Sequence, residues 1–190
     1  DLFKTLRPLV DKNRREGYRY GQFLILGSAS VELIKQSAES LAGRIHYLDI
    51  PGLNALEATQ SHKEIDNLWV RGGFPDSYLA PDDEASCTWR QNFIRTYLER
   101  DIPQLGPRIP AKTLHHFWTM LAHVQATMVN ASKIASGLDI SSPTVSRYID
   151  LMVDLLLVRK LHPWSSNAGK RLVKSPKIYV RYSGLVHQLL

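Results

Sequence analysis

The stretch from Asn130 to Leu161, NASKIASGLDISSPTVSRYIDLMVDLLLVRKL, narrows the choice of folds more than any other part of the chain. Asn130 or Ser132 can cap a short helix that holds Ile134 and Ala135 and ends at Gly137. Leu138–Ile140 then form a tight turn. Ser141 or Ser142 caps a second helix, with Pro143 in its first turn, where a missing N–H is no loss. Val145, Ile149, Met152 and Leu156 line one face at helical spacing. A short helix, a glycine turn and a capped second helix have the spacing of a helix-turn-helix. Leu156–Pro163, a polar turn around residues 165–169, and Ile178–Val180 supply two strands, as in the wing of a winged helix.

The charge distribution bears on what such a module meets. The 190 residues carry a net charge of +6, yet no acid follows Asp154, whereas Arg159, Lys160, Lys170, Arg171, Lys174, Lys177 and Arg181 do. The residues up to Asp154 therefore sum to −1. Either the C-terminal part meets an acidic partner, or it is a solvated surface balanced by acids elsewhere. The second helix would present Ser142, Thr144, Ser146 and Arg147 at its N-terminal end, a usable set for phosphates and base edges. Lys170, Arg171 and Lys174 in the wing would neutralise further phosphates. Asp150 and Asp154 would repel DNA if they faced the groove. Many winged helices pack against neighbouring domains instead, so nucleic-acid binding and protein docking both remain open.

The first third has a different organisation. Leu2, Phe3, Leu6, Leu9 and Val10 have helical spacing. The apolar run Phe23–Leu26 reads as a strand that stops at Gly27-Ser28. A helix follows from about Ser30 to Ala42, and Arg44–Leu53 reads as a second strand. This order suggests a parallel α/β arrangement, but a parallel sheet needs more strands and helices on both faces. Half a domain is visible. From Pro81 a helix is expected, with Asp82, Asp83 and Glu84 in its first turn. Trp89, Phe93 and Tyr97 recur beside Ile94 and Leu98, Arg90, Gln91, Arg95 and Glu99 take the other face, and Pro103 ends the helix. Another helix fits residues 111–128, with Leu114, Phe117, Trp118, Leu121 and Val124 inward.

Motif searches exclude several chemistries. No G-x-x-x-x-G-K-[ST], G-x-G-x-x-G, H-E-x-x-H or G-x-S-x-G exists in the chain. His115, His116 and His123 share a helix without carboxylates at metal spacing, so no metal site is expected. The single cysteine, Cys87, excludes an internal disulfide; it reads as a small packing residue in a reducing, cytoplasmic setting. No apolar run approaches the ~20 residues of a membrane span, so no membrane partner is expected. The first residue is Asp1, and the natural protein is expected to start upstream.

Several blocks together, FLILGSASVELIKQSAESLAGRIHYLDIPGL, LWVRGGFPDSYLA, WRQNFIRTYLERDIPQLG, ISSPTVSRYIDLMVDLLLVRKLHPW and KRLVKSPKIYVRYSGLVHQLL, resemble a large family of prokaryotic AAA+-superfamily ATPases. Members have an N-terminal P-loop domain followed by a winged-helix segment and a domain of unknown function, number 4143. The resemblance runs over nearly the whole chain and covers the middle of the family pattern. It implies an α/β remnant of a P-loop ATPase domain followed by a mostly α winged-helix domain. The segments would be the end of the ATPase core at 1–55, a helical linker at 56–110, and the winged helix with its basic wing at 111–190. The phosphate cradle and the Mg²⁺-binding acidic strand would lie upstream, so ATP and Mg²⁺ belong to the full-length parent and this chain alone would be inactive. Gly27-Ser28 resembles the strand whose polar residue reads the γ-phosphate. Arg44 matches an arginine assigned to γ-phosphate sensing or to finger duty at a subunit contact. The structural alternatives are a serine helix cap and a surface arginine. Nucleic acid, the upstream P-loop domain and a second copy of the chain are the implied partners. The rival reading is a non-catalytic winged-helix module for DNA or protein. One departure stands out: the family usually has aspartate where this chain has Tyr182.

Overall fold

The computed structural model describes residues 2–26, 41–58, 61–105, 109–164 and 175–190. The chain divides into two compact units, Asp1–Ile50 and Pro51–Leu190. Residues 56–110, expected as a linker, thus share a unit with residues 111–190. The reason is the last helix, which folds back against helices of the earlier segment.

In the first unit, α1 (Leu2–Arg15) buries Phe3, Leu6 and Val10 on one face, three and four residues apart. Phe3 and Leu6 close over Leu41, with Ile45 packed against them. Lys12, Arg14 and Arg15 occupy the last turn, where the helix dipole favours cations. Neither expected strand is present among the described residues: Phe23–Leu26 and residues 45–50 have no strand pairing. Leu24, Leu26, Leu48 and Ile50 are 82, 76, 74 and 79% exposed. A strand persists where a neighbour completes its hydrogen-bond ladder, and the described part of this unit supplies none.

The second unit begins with α2 (Ala55–Ala58), α3 (His62–Arg71), α4 (Pro75–Tyr78) and α5 (Asp83–Thr96). Ser61 caps α3 by accepting from the Glu64 N–H, and its hydroxyl donates to the Glu64 carboxylate at 3.0 Å. Asp82 caps α5 in the same manner, accepting from the Ala85 N–H. The glycines of RGGFP permit close backbone packing. Leu53 N–H donates to Gly73 O at 2.7 Å. A Cβ on Gly73 would collide with the Leu53 carbonyl, and one on Gly184 with the Arg71 carbonyl. Gly72, at φ +77°, turns the chain out of α3.

Two expectations fail along α5. Pro103 does not end the helix. A π-helical turn (Tyr97–Asp101), in which Ile102 N–H donates to Tyr97 O, leads into α6 (Ile102–Leu105). The wider turn accommodates a residue that has no N–H and whose ring crowds the preceding carbonyls. Nor does Arg90 lie on the outer face: Ser86, Arg90 and Ile94 form the buried column. The aromatic column is half-buried, with Trp89, Phe93 and Tyr97 stacked at 5.3 Å intervals. It packs sideways on Phe74, whose ring lies 4.2 Å from that of Tyr182.

The rest of the unit is built on α7 (Ala111–His123), α8 (Ala131–Leu138), α9 (Ser142–Asp154), the antiparallel strands β1 (Val158–Leu161) and β2 (Lys177–Val180), and α10 (Ser183–Leu189). Leu114, Phe117, Trp118 and Leu121 of α7 are fully buried, as are Val145, Met152, Ile178 and Leu185. The helix stops at His123, short of residue 128, because the following segment joins β2. Ala126 N–H donates to Ile178 O at 2.8 Å, Ile178 N–H donates to Thr127 O, and Met128 forms a bridge with Lys177. Val124 is consequently a half-buried helix cap. Tyr182 occupies the N-cap of α10 without a side-chain cap bond. Its hydroxyl instead accepts from Gly52 N–H at 3.3 Å. An aspartate there would be a natural cap, and the tyrosine exchanges that role for the Phe74 contact.

Candidate functional site

Three elements build the site. Asn130 caps α8 by accepting from Lys133 N–H, and Ser141 caps α9 by accepting from Thr144 N–H. The turn between them is made by Asp139 in the left-handed region at φ 54°, and not by Gly137. Gly137 stays helical for a packing reason: a Cβ there would lie 2.8 Å from the Met120 Cε of α7. Val145, Ile149 and Met152 hold α9 on the core. Leu156 lies beyond the helix end at φ 59°, where Leu155 and Leu157 take the buried positions.

This anchoring turns Ser146 and Arg147 to solvent and leaves Ser142 and Thr144 half-buried. A chain of polar contacts organises them. Ser141 Oγ and Thr144 Oγ1 are 2.8 Å apart, and Arg147 Nη2 donates to Thr144 Oγ1 at 3.2 Å. Ser142 Oγ donates to Ser132 Oγ of α8 at 3.4 Å. Asp150 and Asp154 are both exposed, but the Asp150 carboxylate is paired with Lys160 of β1. Among the described residues Arg147 has no ion-pair partner, and it lies one helical turn before the paired Asp150. Such a surface can hydrogen-bond phosphate oxygens and base edges.

In the first unit, Arg44 is engaged. Its Nε and Nη2 donate to the two Asp11 carboxylate oxygens at 2.7 and 3.1 Å, and Nη1 donates to Ala42 O. The hydrogen bonds from Arg44 hold the Asp11 carboxyl below the ordinary aspartate range, against a smaller opposing effect of burial. The same hydrogen bonds hold the guanidinium more firmly protonated. Gly27, Ser28, Lys170, Arg171 and Lys174 lie outside the described residues.

The family model matching residues 62–190 is a domain of unknown function, DUF8612. The chain belongs to this family. The resemblance implies a domain of unknown function, but the family shown is numbered 8612 and not 4143. Uncharacterized proteins of Mycobacterium tuberculosis and Mycobacterium bovis are each 46% identical over 190 residues, covering 100% of this chain and 42% of the relative. The chain thus spans less than half the length of these relatives. None of these descriptions names an AAA+ or P-loop protein. No solved structure matches the chain significantly.

The DUF8612 match takes in α3 through α10 and leaves Arg44 outside it. Within it, two features escape a reading of the sequence. Lys160 counts there as one more basic wing residue, not as the partner of Asp150. The other feature is the buried network beside RGGFP, where Ser77 Oγ donates to Arg71 O at 2.7 Å and Arg90 Nη1 donates to Ser86 Oγ at 2.6 Å. Among the described residues, no group of three His, Cys, Asp or Glu side chains is placed to hold a metal ion, and no helix is long and apolar enough to cross a membrane.

Proposed function

We propose that the chain is part of an ATP-binding AAA+-type ATPase of the cytoplasm, in which residues 111–190 form a winged helix that docks nucleic acid. One observation carries the docking half. Helix α7, a short extended segment at Met128, α8, α9 and the β1–β2 pair follow one another in winged-helix order, with Met128 bridged to Lys177. In that arrangement α9 is the helix offered to the groove, with Ser146 and Arg147 exposed beside the half-buried hydroxyls of Ser142 and Thr144. Lys160 removes the repulsion that Asp150 would otherwise exert. Lys170, Arg171 and Lys174 extend the cationic track in sequence.

The ATPase half rests on the resemblance. The exposed apolar stretches at 23–26 and 47–50 are consistent with sheet strands whose neighbours belong to other parts of a longer protein. Arg44 does not fit a nucleotide as it stands, because its fork is already bonded to Asp11 and Ala42.

Fluorescence anisotropy with a mixed-sequence duplex at two salt concentrations tests the docking half. Binding should weaken with salt, and removing Lys170 and Arg171 together should lower the log–log slope by about 2. Arg147→Ala should cost ~1–3 kcal/mol if it makes a bidentate base contact. A chain and a longer relative that both fail to bind at low salt would leave protein docking, for instance onto the protein's own ATPase domain, as the role of this face.

A further inference from the structure

We propose that the outward face of the β1–β2 sheet binds single-stranded nucleic acid, with unpaired bases laid on its apolar side chains and phosphates held by Arg159 and Lys177. This rests on the nucleic-acid reading above and adds to it a second surface and a second form of the ligand. Strand pairing and burial define the surface. Val158 lies opposite Val180 and Lys160 opposite Ile178, and Val158, Ile178 and Val180 are buried. Side chains alternate along a strand, so the pairs Arg159–Tyr179 and Leu161–Lys177 face the other way. Met128 bridges Lys177 from the other side of β2, and side chains opposed in this manner share one face. Lys160 belongs to the inner set and reaches Asp150 of α9, so the outward sheet face is separate from the α9 face.

The face combines two chemistries. Met128 and Leu161 are 66 and 47% exposed and sit on either side of Lys177, which is exposed as well. Tyr179 is half-buried opposite the exposed Arg159. Among the described residues no ion pair engages Arg159 or Lys177, and no acid follows Asp154 in the chain. Unpaired cations select an anion, and exposed methionine and leucine select an anion that also has apolar surface. A duplex offers phosphates but keeps the flat faces of its bases stacked on one another, so Met128 and Leu161 would gain nothing from it. A single strand offers both. Its unpaired bases can cover Tyr179, Leu161 and Met128 while its backbone meets Arg159 and Lys177.

Fluorescence anisotropy of the full chain tests this with three labelled ligands: a mixed-sequence single strand, an abasic strand of the same length, and the mixed-sequence duplex. The single strand should bind about tenfold more tightly than the abasic strand, because stacking adds affinity only where bases are present. Leu161→Thr, which keeps a strand-forming residue, and Met128→Gln should each remove much of that advantage and leave duplex binding unchanged. Arg159→Gln combined with Lys177→Gln should lower the single-strand log–log salt slope by about 1.4, at roughly 0.7 per phosphate contact. Arg147→Ala should show the reverse pattern and weaken the duplex alone. If Leu161→Thr does not fold, Met128→Gln decides, because Met128 lies outside the β1–β2 pair. Equal affinity for the abasic and base-bearing strands would overturn the proposal. So would displacement of the single strand by polyglutamate of equal charge, which would assign the face to an acidic peptide. A duplex that binds beside a single strand that does not would overturn this inference and leave the docking reading standing. No binding of any of the three at low salt would overturn both.

Discussion

Lys160 on β1 forms an ion pair with Asp150 on α9, tying the wing to the outward helix face. Asp150 is largely exposed, so the pair should contribute little to folding. A double-mutant cycle read by urea unfolding is expected to give a coupling of ~0.2–1 kcal/mol. The larger effect should be on docking. Lys160→Met uncovers the acid and should weaken duplex binding, whereas Lys160→Met with Asp150→Asn should recover most of the loss. Equal duplex affinity for the single variant and the parent chain would mean that this face does not approach nucleic acid.

The Asp11–Arg44 pair links the fold of the first unit to pH. Asp11 has a lowered carboxyl pKa in the folded state, so the unfolded state binds the proton more readily. The contribution of the pair is therefore complete above the ordinary aspartate value of ~3.9 and is lost as pH falls through the lower folded value. Arg44 remains charged throughout. The melting-temperature gap between the parent chain and Asp11→Asn should be constant near neutrality and close in acid. A gap that instead widens on acidification would contradict the pairing.

Two glycine-to-alanine substitutions should differ sharply in cost. Gly184→Ala drives a methyl into the Arg71 carbonyl, which is fixed backbone, so a loss of ~3 kcal/mol or more is expected. Gly137→Ala meets only the mobile end of Met120, so the cost should stay below ~1 kcal/mol and the higher helix propensity of alanine offsets part of it. Urea midpoints at equal m-value measure both.

Turnover assays test the ATPase half of the proposal. The purified chain should show no Mg²⁺-dependent ATP hydrolysis, because no phosphate-cradling lysine motif is present. On the ATPase reading proposed above, replacing the arginine that matches Arg44 in a longer relative by alanine should leave ATP affinity nearly intact and lower kcat by up to ~10³-fold, which requires that arginine to leave its Asp11 partner during turnover. Unchanged turnover would make Arg44 a structural partner of Asp11 alone.

Short-range information was legible without coordinates. The Asn130 and Ser141 caps, the acidic first turn after Asp82, and the buried face of Val145, Ile149 and Met152 depend on residues within one or two helical turns. Such patterns report backbone hydrogen bonding and amphipathicity directly. What needed the tertiary structure was every choice made by a residue distant in sequence. Arg90 reads as surface because it is charged, yet it is buried and donates to the hydroxyls of Ser77 and Ser86. Gly137 reads as a helix end, yet it makes room for Met120, and the turn falls to Asp139. Asp11 offers no sign that it binds an arginine 33 residues away. The apolar stretch at 23–26 has a strand's composition but no neighbour to pair with among the described residues. Periodicity shows which side of an element is apolar, whereas burial, ion pairing and strand formation depend on which distant segment comes to lie against it.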